Sequence, residues 1–176
     1  MLIYCTLIEE NQQDDFERMY LQYRQLLYQV AFGILHDHQL AEDAVSTTFW
    51  KAAENFSKIS APVCPKTKRF LVIVCERTAI DLYRKQRQQD SASLDALEYD
   101  IPDRNAVVLP EEEGTLAAAL ARLPKTYREV LLLRYDLGYS TGEIAQLLSF
   151  SEAKTAKCIT RGKQKLRQLL EEGEGV

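Results

Sequence analysis

The residues best equipped for chemistry are a run of cations near the C-terminal end of the sequence. Lys154, Lys157, Arg161 and Lys165 stand at spacings of 3, 4 and 4, and no acid occurs between Ala153 and Leu169. At about 100° per residue this spacing sets all four on one helix stripe. Ile159, Gly162, Leu166 and Leu169 fall on another, roughly 120° away. One stripe can pack while the other presents ammonium and guanidinium groups to phosphates and major-groove edges. A basic stripe is commonly a solvated helix face; here its setting argues otherwise. Gly138-Tyr139-Ser140 ends one helix and opens the next, with Gly138 suited to a left-handed C-cap and Ser140 and Glu143 at capping-box spacing. The helix so opened carries Ile144, Ala145, Leu147 and Leu148 and is only about two turns long. Ser149-Phe150-Ser151 then forms a three-residue turn in which Ser151 can N-cap the basic helix. Short helix, tight turn and longer basic helix make a helix-turn-helix.

A second cationic segment runs from Lys66 to Arg87, with seven bases against Glu76 and Asp81. Leu71, Val74, Cys75, Thr78 and Leu82 share a core stripe, so Arg77, Arg84 and Arg87 point elsewhere and Lys85 lies at the boundary. Asp81 sits three and four residues before Arg84 and Lys85, a helix-surface pairing worth a few tenths of a kcal/mol. Two basic helices on separate modules imply two contacts with one polymer.

The elements that position these cations are all helical. No sustained period-two alternation and no Asn-Gly hairpin signal occurs. The periodicity predicts helices over 14–35 (apolar at Phe16, Tyr20, Tyr23, Leu27, Val30 and Ile34), about 40–56 and about 66–87. Shorter helices follow near 113–122, 125–136 and 142–148, and a last one over 152–170. Between the two groups, 91–110 is acidic, carries Pro102 and Pro110 and has no period, so it reads as a linker. The expected fold is all-α: two small helical domains joined by a flexible acidic linker.

The chain has 176 residues and a formal net charge of -4. That total argues weakly against nucleic acid, yet it averages opposing blocks: two basic helices flank a segment, Asp90 to Glu113, of eight acids against the single Arg104. With 46% hydrophobic residues, five Pro and seven Gly, a disordered or collagen-like chain is excluded. No apolar run approaches 18 residues and the N-terminal stretch has no signal-peptide pattern, so a cytoplasmic protein without membrane insertion is expected. The four cysteines form no C-x-x-C pair, which indicates neither a zinc ribbon nor a redox dithiol. Cys75 reads as packing, and Cys158 as lying at the edge of the basic face with little basis for a redox role. His36-Asp37-His38 with Glu42 and Asp43 could suggest a hydrolytic metal cluster. These residues straddle a helix break, however, and the chain has no third His, so no catalytic residue, metal or cofactor is expected. An ordinary two-domain repressor or activator built on the same helix-turn-helix is the other rival. Phe49 is placed in the core ahead of its neighbour Trp50.

Three groups of residues resemble the extracytoplasmic-function (group 4) sigma factors of bacterial RNA polymerase. Leu35-His36-Asp37-His38-Gln39-Leu40-Ala41-Glu42-Asp43-Ala44-Val45 with Phe49 resembles sigma region 2.1 to 2.2. Phe70-Leu71 through Ala79-Ile80-Asp81-Leu82-Tyr83-Arg84-Lys85 resembles region 2.3 to 2.4. Leu123-Pro124, Tyr127-Arg128-Glu129-Val130, Tyr139-Ser140, Glu143-Ile144-Ala145 and Ser151-Glu152 resemble region 4. The resemblance implies a promoter-specificity subunit that is no enzyme, with region 2 over 12–90, an acidic linker over 91–112 and region 4 over 113–172. It implies core polymerase binding through Asp43, Ser46, Thr47 and Trp50. It implies contact with the -10 element through Arg77, Arg84, Lys85, Lys68 and Arg69, with the Ser57–Pro65 loop holding an extruded base. It implies contact with the -35 element through Lys154, Lys157, Arg161, Lys165, Ser151 and Thr155. Partners implied are core RNA polymerase, promoter DNA and an anti-sigma factor. The 22-residue linker reaches at most about 75 Å, against roughly 70 Å for two helical turns of DNA. The chain departs from the family pattern at Ser46 and Thr47 (often Gln and Glu), Arg77 (often Asn), Ser149 (often Gly), and Ala156 and Cys158 (often Lys and Arg).

Overall fold

The computed structural model describes residues 4, 7–90 and 115–173. The acidic linker expected over 91–112 lies outside the described residues. The chain divides into two compact units, Met1–Tyr99 and Asp100–Val176. Among the described residues there is no strand, and no helix is long and apolar enough to cross a membrane.

The first unit is a bundle of three helices. Helix α1, Gln13–Leu35, opens with Asp14 and Asp15, acids favoured where the helix dipole is positive, and buries Phe16, Met19, Tyr23, Leu27, Ala31 and Leu35. The 3-4-4-4-4 spacing keeps that row on one side, with Tyr20, Val30 and Ile34 half-buried along its edge. It stops at His36, held left-handed at φ 52° with its N–H bonded to the Phe32 carbonyl. Asp37 then caps α2, His38–Glu54, by accepting from the Leu40 N–H at 2.8 Å. Helix α2 buries mostly small groups (Ala41, Ala44, Thr48, Ala52 and Ala53), which let its axis come close, plus the whole of Phe49. Phe49 and Phe56 both meet the Phe16 ring edge-on, at 6.2 and 5.4 Å between centroids. Truncating a fully buried phenylalanine of this kind costs about 3–5 kcal/mol.

Helix α3, Pro65–Asp90, starts on a proline, which has no N–H to leave unsatisfied at that position. It packs against both α1 and α2. Every residue from Arg69 to Ile80 is buried as a result, so over that stretch the helix has no solvent face.

The second unit holds α4 (Thr115–Arg122), α5 (Lys125–Leu131), α6 (Thr141–Leu147) and α7 (Glu152–Gly173). Ala119, Leu120, Leu123, Leu131 and Leu169 form a core cluster, with Leu166 and Leu170 against it. Helix α5 continues as a wider π turn over Leu132–Asp136, closed by the Leu137 N–H on the Leu132 carbonyl. Gly138, at φ 77°, then reverses the chain, a conformation only glycine adopts without strain. The capping box is complete: Ser140 Oγ accepts from the Glu143 N–H at 3.3 Å, and Glu143 Oε2 from the Ser140 N–H at 2.9 Å.

Candidate nucleic-acid interface

Helix α7 begins where Ser151 Oγ accepts from the Lys154 N–H at 3.2 Å. Its packed stripe is Thr155, Cys158, Gly162 and Leu169, with Ile159, Leu166 and Leu170 half-buried. A Cβ on Gly162 would stand 3.2 Å from Tyr127 Cβ and 3.3 Å from Leu131 Cδ1, so the absence of a side chain is what lets α7 lie against α5. Packing in this phase leaves Lys154, Lys157, Arg161 and Lys165 exposed together, and Ser151 exposed at the helix start. Lys163 turns off the stripe, its ammonium 5.7 Å from the centre of the Tyr135 ring.

Two expectations on this helix are corrected. Thr155 is fully buried and its hydroxyl donates to the Ser151 carbonyl at 3.1 Å, so it lies on the packed face and not on the exposed stripe. Cys158 belongs to the packed stripe and not to the edge of the basic face. Both follow from helical phase, since 155 and 158 lie seven and four residues before Gly162. One residue that sequence reading missed is Phe150: its ring lies under the Lys154 ammonium at 3.9 Å, and its N–H is bonded to the Ala145 carbonyl at 2.8 Å. The residue before it, Ser149, is left-handed at φ 55°.

On α3 the cations separate by depth. Arg69 and Arg77 are 7% and 9% exposed and are withdrawn from the candidate surface, because α1 and α2 enclose the helix over that stretch. Lys68 is half-buried. Beyond Ile80 the packing thins, and Arg84, Lys85 and Arg87 are exposed, with the Arg87 guanidinium 5.5 Å from the Tyr83 ring centre. The charge of Asp81, with that of Glu54, acts across on Lys51 of α2. Burial still prevails, and the Lys51 pKa is lowered.

Asp43, Ser46, Thr47 and Trp50 form one exposed stripe on α2, with the Trp50 indole N–H donating to Glu54 Oε1 at 2.9 Å. The loop between α2 and α3 is tied at three points. Tyr23 Oη donates to the Cys64 carbonyl (3.2 Å), Thr67 Oγ1 donates to the Ala61 carbonyl (2.6 Å), and Cys64 Sγ accepts from the Thr67 N–H (3.4 Å). Partial burial pushes the Cys64 thiol up. Hydrogen bonds from Thr67 and from the Lys66 backbone, together with the Lys66 charge, outweigh it and leave the thiol below its ordinary value. In the α1–α2 turn, His38 Nδ1 is hydrogen-bonded to the Tyr28 hydroxyl, and its ring stacks on Phe32 at 4.7 Å. Among the described residues no group of three or more His, Cys, Asp or Glu is placed to hold a metal ion.

Residues 19–89 match the family Sigma-70 region 2, and residues 113–166 match the family Sigma-70, region 4. The ECF RNA polymerase sigma factor SigX of Bacillus subtilis is 29% identical over 167 residues, which span 90% of this chain and 85% of SigX. The ECF RNA polymerase sigma factor SigM of the same organism is 28% identical over 161 residues, 89% of this chain and 96% of SigM. Among solved structures, CnrH in complex with the cytosolic domain of CnrY is 22% identical, with a TM-score of 0.40, over 97% of this chain and 96% of that one. The two matches follow one another in the order of the two helical units and together take in most of the sequence. The chain belongs to the sigma-70 family, as a sigma factor of the extracytoplasmic-function type.

Proposed function

We propose that this chain binds core RNA polymerase and directs it to promoters by reading the -35 element with α7 and engaging the -10 element with the C-terminal part of α3. The observation that carries the reading is the exposed stripe Lys154, Lys157, Arg161 and Lys165 on the second helix of a helix-turn-helix. Four cations on one face of a helix of major-groove width supply phosphate contacts and reach base edges. Arg84, Lys85 and Arg87 supply the second contact, and the tied loop before α3 offers a shaped surface at the other end of the helix, about 30 Å away. Asp43, Ser46, Thr47 and Trp50 form the face that docks on the polymerase. The protein acts in the cytoplasm as a subunit, with no catalysis of its own, and an anti-sigma factor is its regulator.

The net charge of -4 makes the free protein a poor ligand for DNA. Its two basic surfaces become effective once the polymerase holds both against one promoter. Run-off transcription with core polymerase over a promoter library tests this. Initiation at a shared two-part motif, dependent on this protein, is expected. Tight operator binding by the chain alone, with no polymerase recruitment, would refute it and favour a two-domain repressor.

A further inference from the structure

The match to region 2 begins at residue 19, and the N-terminal segment ahead of α1 lies outside it. Part of that segment nevertheless packs into the first unit. Tyr4 is 8% exposed and Ile8 7%. The Tyr4 ring sits 5.5 Å from Phe16 and 6.3 Å from Tyr20, both on α1. Its hydroxyl crosses to α2, where it lies 3.3 Å from the Ser46 carbonyl oxygen and 3.2 Å from Ser46 Oγ. The proton arrangement that satisfies both contacts has Tyr4 donating to the carbonyl while the Ser46 hydroxyl donates to the Tyr4 oxygen.

Ser46 stands in the middle of the α2 stripe assigned to polymerase docking. An unpartnered helix serine rotates freely or bonds back to its own helix. Here the Tyr4 hydroxyl holds it to one orientation and ties Tyr4 itself to that edge of α2. Asp43, Thr47 and Trp50 remain exposed, so Tyr4 flanks the stripe without covering it.

We propose that Tyr4 is a positioning residue for the polymerase-docking face: bonded to Ser46 beside the α2 stripe, it forms one flank of the surface that core RNA polymerase covers. The inference rests on the sigma-factor reading and adds a contact that the family match does not include.

The test uses the full chain and measures affinity for core polymerase, thermal stability, and transcription at saturating protein. Tyr4→Phe keeps the ring and removes the hydroxyl. Core affinity is expected to fall by about 2- to 10-fold, the range of one hydrogen bond, while Tm and transcription at saturation hold. Ser46→Ala removes the Oγ contact and leaves the Tyr4 bond to the carbonyl, so it should give a smaller fall, and the double variant no more than Tyr4→Phe alone. Unchanged affinity in Tyr4→Phe overturns the inference. Tighter binding also does so, since it would mean that Tyr4 obstructs the face. A loss of affinity matched by an equal loss of stability, or by lost transcription at saturation, marks a purely structural role and overturns it as well. If the unaltered protein fails to bind core polymerase, the sigma-factor reading itself falls.

Discussion

The Lys154 ammonium lies 3.9 Å from the centre of the Phe150 ring, across the turn that joins the two helices of the helix-turn-helix. An aromatic face attracts a cation through its quadrupole, by about 0.5–1 kcal/mol where solvent is near. The contact holds the first cation of the stripe in place and, on the proposed -35 reading, spares part of the cost of ordering a long side chain on DNA.

Phe150→Leu should therefore weaken holoenzyme binding to a -35 duplex by about 2- to 5-fold, the loss of one such contact, with the salt dependence unchanged because no charge is lost. Lys154→Ala should instead lower the slope of log affinity against log salt by about 1. Titrations at several salt concentrations separate the two. A Phe150→Leu protein that binds more tightly would show that the ring competes with DNA for the lysine.

Arg77 and Arg84 lie on the same helix and should fail in different ways. Arg84→Ala and Lys85→Ala remove exposed cations, so they should reduce promoter opening in a salt-dependent manner and leave urea unfolding within about 0.5 kcal/mol of the parent. Arg77→Ala truncates a side chain that is 9% exposed in an enclosed stretch of α3, at a cost of about 2 kcal/mol or more. Urea titration alongside permanganate probing of the -10 region checks both. A stable Arg77→Ala protein defective only in opening would return Arg77 to the DNA surface.

The separation of Arg77 from Arg84 shows what the sequence could and could not convey. Periodicity located α1 and α2 within a few residues because each keeps one apolar side and one wet side. Helix α3 breaks that rule: wedged between the other two, it buries arginines and a glutamate along with Phe70 and Ile73, and polarity no longer marks the outside. On α7 the apolar stripe was legible from Ile159 onward. Its first two members were obscured: Thr155 carries a hydroxyl, and Cys158, though apolar, stands between Lys157 and Arg161 and read as the edge of the basic face. The four cations of α7 were readable because acids are absent around them. The contacts of Tyr4 with Ser46 and of Tyr23 with Cys64 span 42 and 41 residues, beyond any local spacing rule.

Ser149 adopts φ 55° in the turn before α7, a conformation in which a side chain is strained by about 1 kcal/mol relative to glycine. Nothing in the turn requires the serine: it is exposed, and the N-cap of α7 is Ser151. Ser149→Gly should raise the stability of the second unit by up to about 1 kcal/mol, less the entropy that glycine gains in the unfolded chain. Tm and hydrogen exchange in α6 and α7 measure it. A fall in stability would mean that the seryl side chain stabilises the turn by more than the strain costs.

The three cysteines at 64, 75 and 158 should separate by pH in a thiol-labelling experiment. Thiolate is the reactive form, so the rate at each site rises as pH approaches that site's pKa. Cys64 is half-exposed and lowered by its Thr67 and Lys66 partners. Cys75 is buried between α1 and α2 and pushed up to about 12, its thiol donating to the Leu27 carbonyl. With Cys5 replaced by serine, maleimide at neutral pH should modify Cys64 first, whereas Cys75 and Cys158 should react only at the rate of unfolding. Raising the pH should speed Cys64 until its thiolate is fully formed and leave Cys75 protected. The raised value of Cys75 also has a stability sign. Its contribution is complete below the unfolded thiol value of about 8.5 and declines as pH climbs from there towards about 12. Cys75→Ala should flatten that decline in urea titrations between pH 8 and pH 10. Labelling of Cys158 as fast as Cys64 in the folded protein would contradict its place on the packed face of α7.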